Sequence, residues 1–287
     1  MATIGLVIKP GIERALELGR EVVKWGRKAG HDLLFEQGTA ELLHQKRGVA
    51  AEKLVHRADP IVILGGDGTL IGVARHVNSH SPLLLGVNFG HLGFLTEVAP
   101  SELMTTLRDI FRRKVGIGER NMIQADIFRG REKIFSSQAV NEAVLIKGAT
   151  DRLMDLDMEV DGEAVMRLRA DGVIVATSTG STAYSLAAGG SIAHPELPVL
   201  LVTPLCAHLL ASRPLILKLD SEVTLSVPPY DGQVFLSIDG QVSERVLCGD
   251  QVKIGRSKHK VRFVRSPSRS YFEILRTKLN WGIANQA

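Results

Sequence analysis

The chain has 287 residues, which at roughly 150 residues per domain points to about two domains. Hydrophobic residues make up 45% and charged residues 23%, so it can bury a sizeable core and is not a disordered or low-complexity chain. Lys and Arg number 35 against 31 Asp and Glu, with no basic tail or block of like charge; this mild surplus favours phosphorylated small molecules slightly and gives no reason to expect nucleic acid. No apolar run reaches the roughly 18 residues of a membrane span, and the amino-terminal segment meets charges early, so the expectation is a cytoplasmic protein with no membrane contact. Cys206 and Cys248 lie far apart without metal-ligand spacing and are expected to be buried thiols in a reducing compartment.

In chain order, Ile4 to Ile8 predicts a first strand, and the apolar spacing from Ile12 to Lys28 predicts a helix that Gly30 stops. Leu33 to Phe35 follows as a strand, and Glu41 to Arg57 as a more polar helical stretch. The run Ile61 to Leu64, bounded by Pro60 and Gly65, predicts a buried central strand. Leu70 to His80 reads as a helix, Leu83 to Val87 as a strand, and Ser101 to Arg113 as a helix. This β-α alternation predicts a parallel-sheet α/β domain over residues 1–116.

After Gly116 and Gly118 helical period gives way to frequent strands, including Gln124 to Phe128, Ala139 to Ile146 and Met154 to Val160. Asp161-Gly162 and Asp239-Gly240 each separate two strand-like runs and predict tight hairpins. Further strands fall at Val223 to Val227, Val252 to Ile254 and Val261 to Val264. A β-rich domain over 117–270 results, interrupted by a small-residue helix at Ser181 to Ala188 and followed by a helix and tail over 271–287.

The turn Gly65-Gly66-Asp67-Gly68-Thr69 joins the buried strand to a helix. There, glycines let backbone amides approach phosphate oxygens, and a carboxylate can accept or position a hydroxyl proton in phosphoryl transfer. The other reading of the same residues is structural, with the glycines shaping the turn and Asp67 capping the helix. No GxxxxGK[ST] or GxGxxG fingerprint occurs, which excludes a Walker P-loop and argues against a hydride-transferring Rossmann enzyme. Arg169 and Asp171, two apart, would share one face of a strand, and Thr177 to Ser185 forms a hydroxyl-rich turn suited to an anion or ribose; a surface ion pair and a helix cap are the plainer alternatives. Asn141-Glu142 sits in the otherwise apolar strand Ala139 to Ile146, where one of the two has to face an interior or cleft. The histidines, His91 and His208 among them, read as structural, and no GxSxG elbow occurs.

Taken together, GGDGT at 65–69, GVNFGHLGFLTE at 86–97, NE at 141–142, RADG at 169–172, TGSTAYSLAAGG at 179–190 and LRTKLNWG at 275–282 resemble the NAD kinase family. GGDGT alone is shared with lipid and sphingoid kinases; its succession by NE and TGSTAY is specific. The resemblance implies an amino-terminal α/β domain, a carboxy-terminal β-sandwich-like domain with the last helix packing back on the first, and ATP-dependent phosphorylation of the 2′-hydroxyl on the adenosine ribose of NAD. It implies Asp67 as proton acceptor and Gly65, Gly66, Gly68 and Thr69 at the phosphates. Asp67, Gly68, Asn141, Glu142, Arg169, Asp171, Thr182, Ala183, Tyr184, Ser185, Leu186 and Ala187 would contact the substrate, with Arg152 and Gln241 as additional contacts. Mg²⁺ or another divalent cation would arrive with ATP rather than on protein side chains, and a homo-oligomer, dimer or tetramer, is implied. Two departures stand out: Ser178 replaces a usual proline, and Ala207-His208-Leu209 replaces a usual Pro-His-Ser or Pro-His-Thr. The remaining alternatives are a lipid or sphingoid kinase and a nucleotide sensor without catalysis.

Overall fold

The computed structural model describes residues 1–90, 93–149, 152–208, 212–266 and 268–281; His91, Leu209 and Gly282 lie outside the described residues. The chain divides into two compact units, one of residues 1–119 with 261–287 and the other of residues 120–260. The helix expected near the carboxy terminus, α7 (Tyr271–Leu279), thus groups with the amino-terminal unit, together with the end of the strand before it.

The first unit holds β1 (Thr3–Ile8), α1 (Glu13–Lys28), β2 (Asp32–Phe35), α2 (Gln37–Leu42), α3 (Ala51–Arg57), β3 (Ile61–Leu64), α4 (Asp67–Ala74), β4 (Leu83–Val87) and α5 (Leu103–Phe111). The strands pair in parallel in the order β2-β1-β3-β4. Parallel strands covered on both faces read as unbroken apolar runs, and all four residues of β3 are fully buried, each worth about 1.5–3 kcal/mol of apolar transfer. The helix α1 buries Ala15, Leu18, Gly19, Val22, Val23 and Gly26, one stripe at helical spacing, and ends where Gly30 takes φ +76°. The chain leaves β1 for one side (β2) and then crosses to the other (β3), so the β1–β3 boundary is where strand order reverses and where ligands settle in open α/β sheets.

Three helical expectations are corrected. The stretch 41–57 is two short helices, because His44 at φ +53° takes the left-handed conformation just after α2. The helix expected from Leu70 begins at Asp67 and ends at Ala74. Ser181 to Ala188 is a 3₁₀ turn at Gly180–Thr182 followed by α6 (Tyr184–Ala187), broken at Ala183, whose φ −100° and ψ −130° are not helical.

The second unit packs two sheets face to face. One is the antiparallel set β12-β11-β10-β7-β14-β15, formed by β7 (Glu142–Lys147), β10 (Gly172–Thr177), β11 (Val199–Leu205), β12 (Leu215–Lys218), β14 (Val234–Ile238) and β15 (Val242–Val246). The other contains β8 (Met154–Val160), β9 (Glu163–Ala170), β13 (Val223–Ser226) and β16 (Asp250–Val264), with β5 (Ile117–Arg129) and β6 (Glu132–Ala139) alongside. Leu145, Val173, Val175 and Leu236 of the first sheet share one buried core with Leu156, Met158, Leu225 and Ile254 of the second, which makes this unit a β-sandwich. Both expected hairpins form, with φ +53° and +84° at Asp161 and Gly162 and φ +50° and +63° at Asp239 and Gly240, the left-handed pair of a type I′ turn.

Two strand readings are also corrected. The strand expected over 139–146 is broken, with β6 ending at Ala139 and β7 starting at Glu142. The separate runs 252–254 and 261–264 are one strand, β16, whose middle carries Arg256, Ser257, Lys258, His259 and Lys260 and so loses the apolar signal while keeping its backbone extended. Cys206 and Cys248 are exposed free thiols rather than buried ones. No helix among the described residues is long and apolar enough to cross a membrane.

Candidate active site

At the carboxy-terminal end of β3, Gly65 donates its N–H to the Val87 carbonyl at 3.0 Å, and a β-carbon there would lie 2.6 Å from Thr69 Oγ1. That approach requires glycine. Gly66 is the extended cap of α4, and a β-carbon on either Gly66 or Gly68 would meet nothing within 4 Å, so these two face open space. Asp67 does not cap the helix it begins. Its carboxylate reaches across to the segment after β4, where Oδ2 accepts the Phe94 N–H at 2.7 Å, and Oδ1 accepts the N–H of Leu95 at 3.2 Å and of Thr96 at 2.9 Å and the Thr96 hydroxyl at 2.7 Å.

A carboxylate held by four donors has a fixed position. Gly93 completes the arrangement, because a β-carbon there would overlap the Asp67 carboxylate and the Thr96 hydroxyl. Thr96 is fully buried, and its hydroxyl accepts from Asn88 Nδ2 at 3.1 Å.

In the second unit the break between β6 and β7 is built by Asp239. From the tip of the β14–β15 hairpin its carboxylate accepts the N–H of Val140 and Asn141 at 2.8 Å each and of Glu142 at 3.0 Å. The Asn141 carbonyl accepts from the Thr177 N–H at 2.8 Å, and the Thr177 hydroxyl donates to the Val140 carbonyl at 2.7 Å, which ties Asn141-Glu142 to the end of β10. Gly180 lies against the Asn141 backbone so closely that a β-carbon would stand 2.6 Å from its carbonyl carbon.

The Glu142 side chain is buried beside these groups. Burial, and then the Asp239 carboxylate, push its pKa up to about 8, against the opposing effect of the Tyr184 N–H that it accepts. Among the described residues, Glu142 Oε2 and Thr179 Oγ1 are buried without a hydrogen-bond partner. Unsatisfied polar atoms of this kind cost about 1–3 kcal/mol each, and a ligand that supplied their partners would recover that cost. Ser185 is fully buried and its hydroxyl bonds that of Thr203 at 2.9 Å, while Thr182 Oγ1 donates to the Thr179 carbonyl at 3.3 Å. Tyr184 is 44% exposed, and Ala187 is exposed beside the half-buried Ala183 and Leu186.

The other expected contacts lie elsewhere in this unit. Asp171 sits in the turn between β9 and β10, not on the strand of Arg169, so the shared face expected of that pair does not exist; its Oδ1 is 3.4 Å from Lys147 Nζ. Lys147 and Glu142 end opposite termini of β7, five residues apart, which at about 3.4 Å per residue separates the Asp171 end of the strand from the Asn141-Glu142 group by roughly 17 Å. Arg152 and Arg169 line a cavity of about 620 Å³ with Leu153, Pro229, Tyr230, Asp231 and Gly232, and the Tyr230 hydroxyl donates to the Arg152 carbonyl. Gln241 is exposed on the β14–β15 turn, its N–H bonded to the Ile238 carbonyl at 2.9 Å.

Sequence reasoning assigned no role to Asn88, Gly93, Thr96 or the Asp239 carboxylate. The first three lie inside the quoted stretch GVNFGHLGFLTE, whose density of glycine and polar residues just after a buried strand was the available signal.

The chain matches the ATP-NAD kinase N-terminal domain over residues 4–115 and the ATP-NAD kinase C-terminal domain over residues 140–266. It is 40% identical over 282 residues to the NAD kinase of Geotalea daltonii and 41% identical over 282 residues to that of Geobacter sulfurreducens, covering 98% of this chain and 99% of each relative. Among solved structures it is similar to yeast NADH kinase complexed with NADH, with a TM-score of 0.91 at 26% identity over 99% of this chain and 89% of that one. An NAD kinase from Archaeoglobus fulgidus in complex with ATP shares the fold, with a TM-score of 0.76 at 22% identity, covering 96% of this chain and 99% of that one. With both halves matched by the two domains of one family, and relatives of that family aligned over nearly its whole length, the chain belongs to the ATP-NAD kinase family.

Proposed function

We propose that Asp67 is the proton acceptor, and the 2′-hydroxyl of the adenosine ribose the phosphoryl acceptor, in the ATP-dependent phosphorylation of NAD that belongs to this family. The observation that carries the reading is the Asp67 carboxylate, fixed by backbone donors in a glycine turn at the end of a central parallel strand. Phosphoryl transfer has a loose transition state in which positioning and charge matter more than base strength, so a fixed carboxylate that orients the attacking hydroxyl suits it. The open space at Gly66 is where donor phosphates can meet backbone amides of the turn.

Asn141, Glu142 and residues Thr182, Ala183, Tyr184, Ser185, Leu186 and Ala187 are assigned to NAD, supported by the unpartnered Glu142 Oε2 and Thr179 Oγ1 beside them. Arg152 and Arg169 offer cationic groups on the cavity beside Tyr230, and Asp171 and Gln241 complete the assignment. A divalent cation entering with ATP would neutralise charge on the phosphate oxygens. That cation is assigned to the nucleotide phosphates rather than to protein side chains. A homo-oligomer and a cytoplasmic location belong to the same proposal and rest on the family.

The test is NADP formation by purified protein with NAD, ATP and Mg²⁺, with Asp67→Asn alongside. Wild type is expected to turn over and the variant to lose most of its rate, about 10²-fold or more, while still binding NAD. A variant rate near that of wild type removes Asp67 from the chemistry.

A further inference from the structure

The two oxygens of Asp67 are not equivalent. A carboxylate offers about four lone-pair sites, two per oxygen. Oδ1 already accepts three donors, the N–H of Leu95, the N–H of Thr96 and the Thr96 hydroxyl, whereas Oδ2 accepts only the Phe94 N–H among the described residues. The Gly93 backbone closes over the Oδ1 side, since the atom nearest a β-carbon built there is Oδ1 itself.

The direction of the Thr96 hydroxyl is set by its other neighbour. Asn88 Nδ2 can only donate, so Thr96 Oγ1 accepts from it and turns its own proton toward Asp67. The Asn88 carboxamide is oriented in turn by the Gly90 N–H, which donates to Asn88 Oδ1 at 2.8 Å. Thr96 itself is fully buried, which shields its hydroxyl from solvent.

Resting on the reading of Asp67 as proton acceptor, we propose that the proton is taken on Oδ2 and that Thr96, aimed by Asn88, is the positioning residue that fills Oδ1 and leaves Oδ2 as the basic oxygen. In the step so described the attacking hydroxyl's O–H bond breaks and its proton passes to Oδ2. The new O–P bond forms as the bond from the terminal phosphorus to the bridging oxygen breaks, ADP leaves with that electron pair, and Oδ2 releases its proton to solvent afterwards. Without the Thr96 hydroxyl the carboxylate would keep its three backbone donors but lose the shortest of its bonds to Oδ1, so that Oδ1 competes more nearly with Oδ2 for the proton and the plane that presents Oδ2 is held less firmly.

The experiment measures NADP formation for Thr96→Val, Thr96→Ser and Asn88→Ala, each alone and combined with Asp67→Asn, with thermal melting to confirm folding. Valine keeps the shape that packs near Gly86 and removes the hydroxyl. For Thr96→Val, kcat is expected to fall about 10- to 100-fold with KM for NAD within about twofold of wild type, and Thr96→Ser to recover most of the loss. In the Asp67→Asn background, where no carboxylate remains to be oriented, Thr96→Val is expected to cost less than about twofold; a purely structural role would cost the same in both backgrounds. Should Thr96→Val fail to fold, Asn88→Ala is read in its place, with a smaller kcat loss of about three- to tenfold that also vanishes beside Asp67→Asn. A near-wild-type kcat in Thr96→Val, or equal losses in both backgrounds, overturns the inference while an inactive Asp67→Asn keeps Asp67 in the chemistry. A fully active Asp67→Asn overturns both.

Discussion

Glu142 is a carboxyl group placed where ionisation is costly, and the cost has a sign that can be measured. In the folded chain it holds its proton to about pH 8, because it is buried and stands beside Asp239, whereas an unfolded Glu releases its proton near pH 4.3. Between those values the folded state binds more protons than the unfolded one, so stability falls as pH rises through the window and levels off above it. Glu142→Gln removes the titration. The difference between the two stability curves is expected to widen in favour of the variant from about pH 4.5 to pH 8, by up to about 4 kcal/mol, and urea unfolding at stepped pH checks it. A constant difference would mean that Glu142 is ionised at neutral pH. Gly93 gives the second prediction at this scale. Its missing side chain is what admits the Asp67 carboxylate and Thr96 hydroxyl, so Gly93→Ala has to move one or the other. Turnover is expected to drop about 10²-fold by displacement of the carboxylate, with a small change in melting temperature, as measured by NADP formation and calorimetry.

At the level of elements, Asp239 shows how a turn residue in one hairpin sets the geometry of another strand. Its three accepted N–H bonds hold residues 140–142 where β6 stops and β7 begins, and Asp239→Ala would leave those donors without their acceptor. The expected loss is about 2–4 kcal/mol of stability with a weakened hold on NAD, checked by chemical denaturation and by titration calorimetry. Much of this layer was readable beforehand: the apolar run of β3, the helix stop at Gly30 and both Asp-Gly hairpins follow from local rules, and all are present. What was not readable depends on partners distant in sequence. The stretch 139–146 looks like one strand because Val140 is apolar, and only the Asp239 carboxylate, 99 positions away, explains the break. Likewise Asp67 looks like a helix cap until the amides 27 to 29 positions later are seen to take its carboxylate. The strand face expected to be shared by Arg169 and Asp171 is missing for a simpler reason, since β9 ends at Ala170 and Asp171 lies between it and β10.

For the whole molecule, the division into two units assigns the two kinds of residue to different bodies: Asp67 with its amides to the first, and Asn141, Glu142 and Tyr184 to the second. Binding of NAD is therefore separable from proton transfer by where protection appears. A ligand at about a hundredfold its Kd stabilises the state that binds it by about 2.7 kcal/mol, and amides in the element it touches exchange more slowly by the corresponding factor. With NAD alone, hydrogen exchange is expected to slow at the start of β7, the end of β10 and residues 177–188, where buried Glu142 Oε2 and Thr179 Oγ1 have no protein partner. Asp67→Asn is expected to preserve that protection and the accompanying rise in melting temperature, because it removes a proton acceptor and leaves the second unit untouched. Asn141→Ala is expected to reduce both. If NAD instead protects nothing in β7, β10 or the turn after it, the unpartnered atoms are not its binding groups, and the assignment of these residues to NAD fails even where turnover persists.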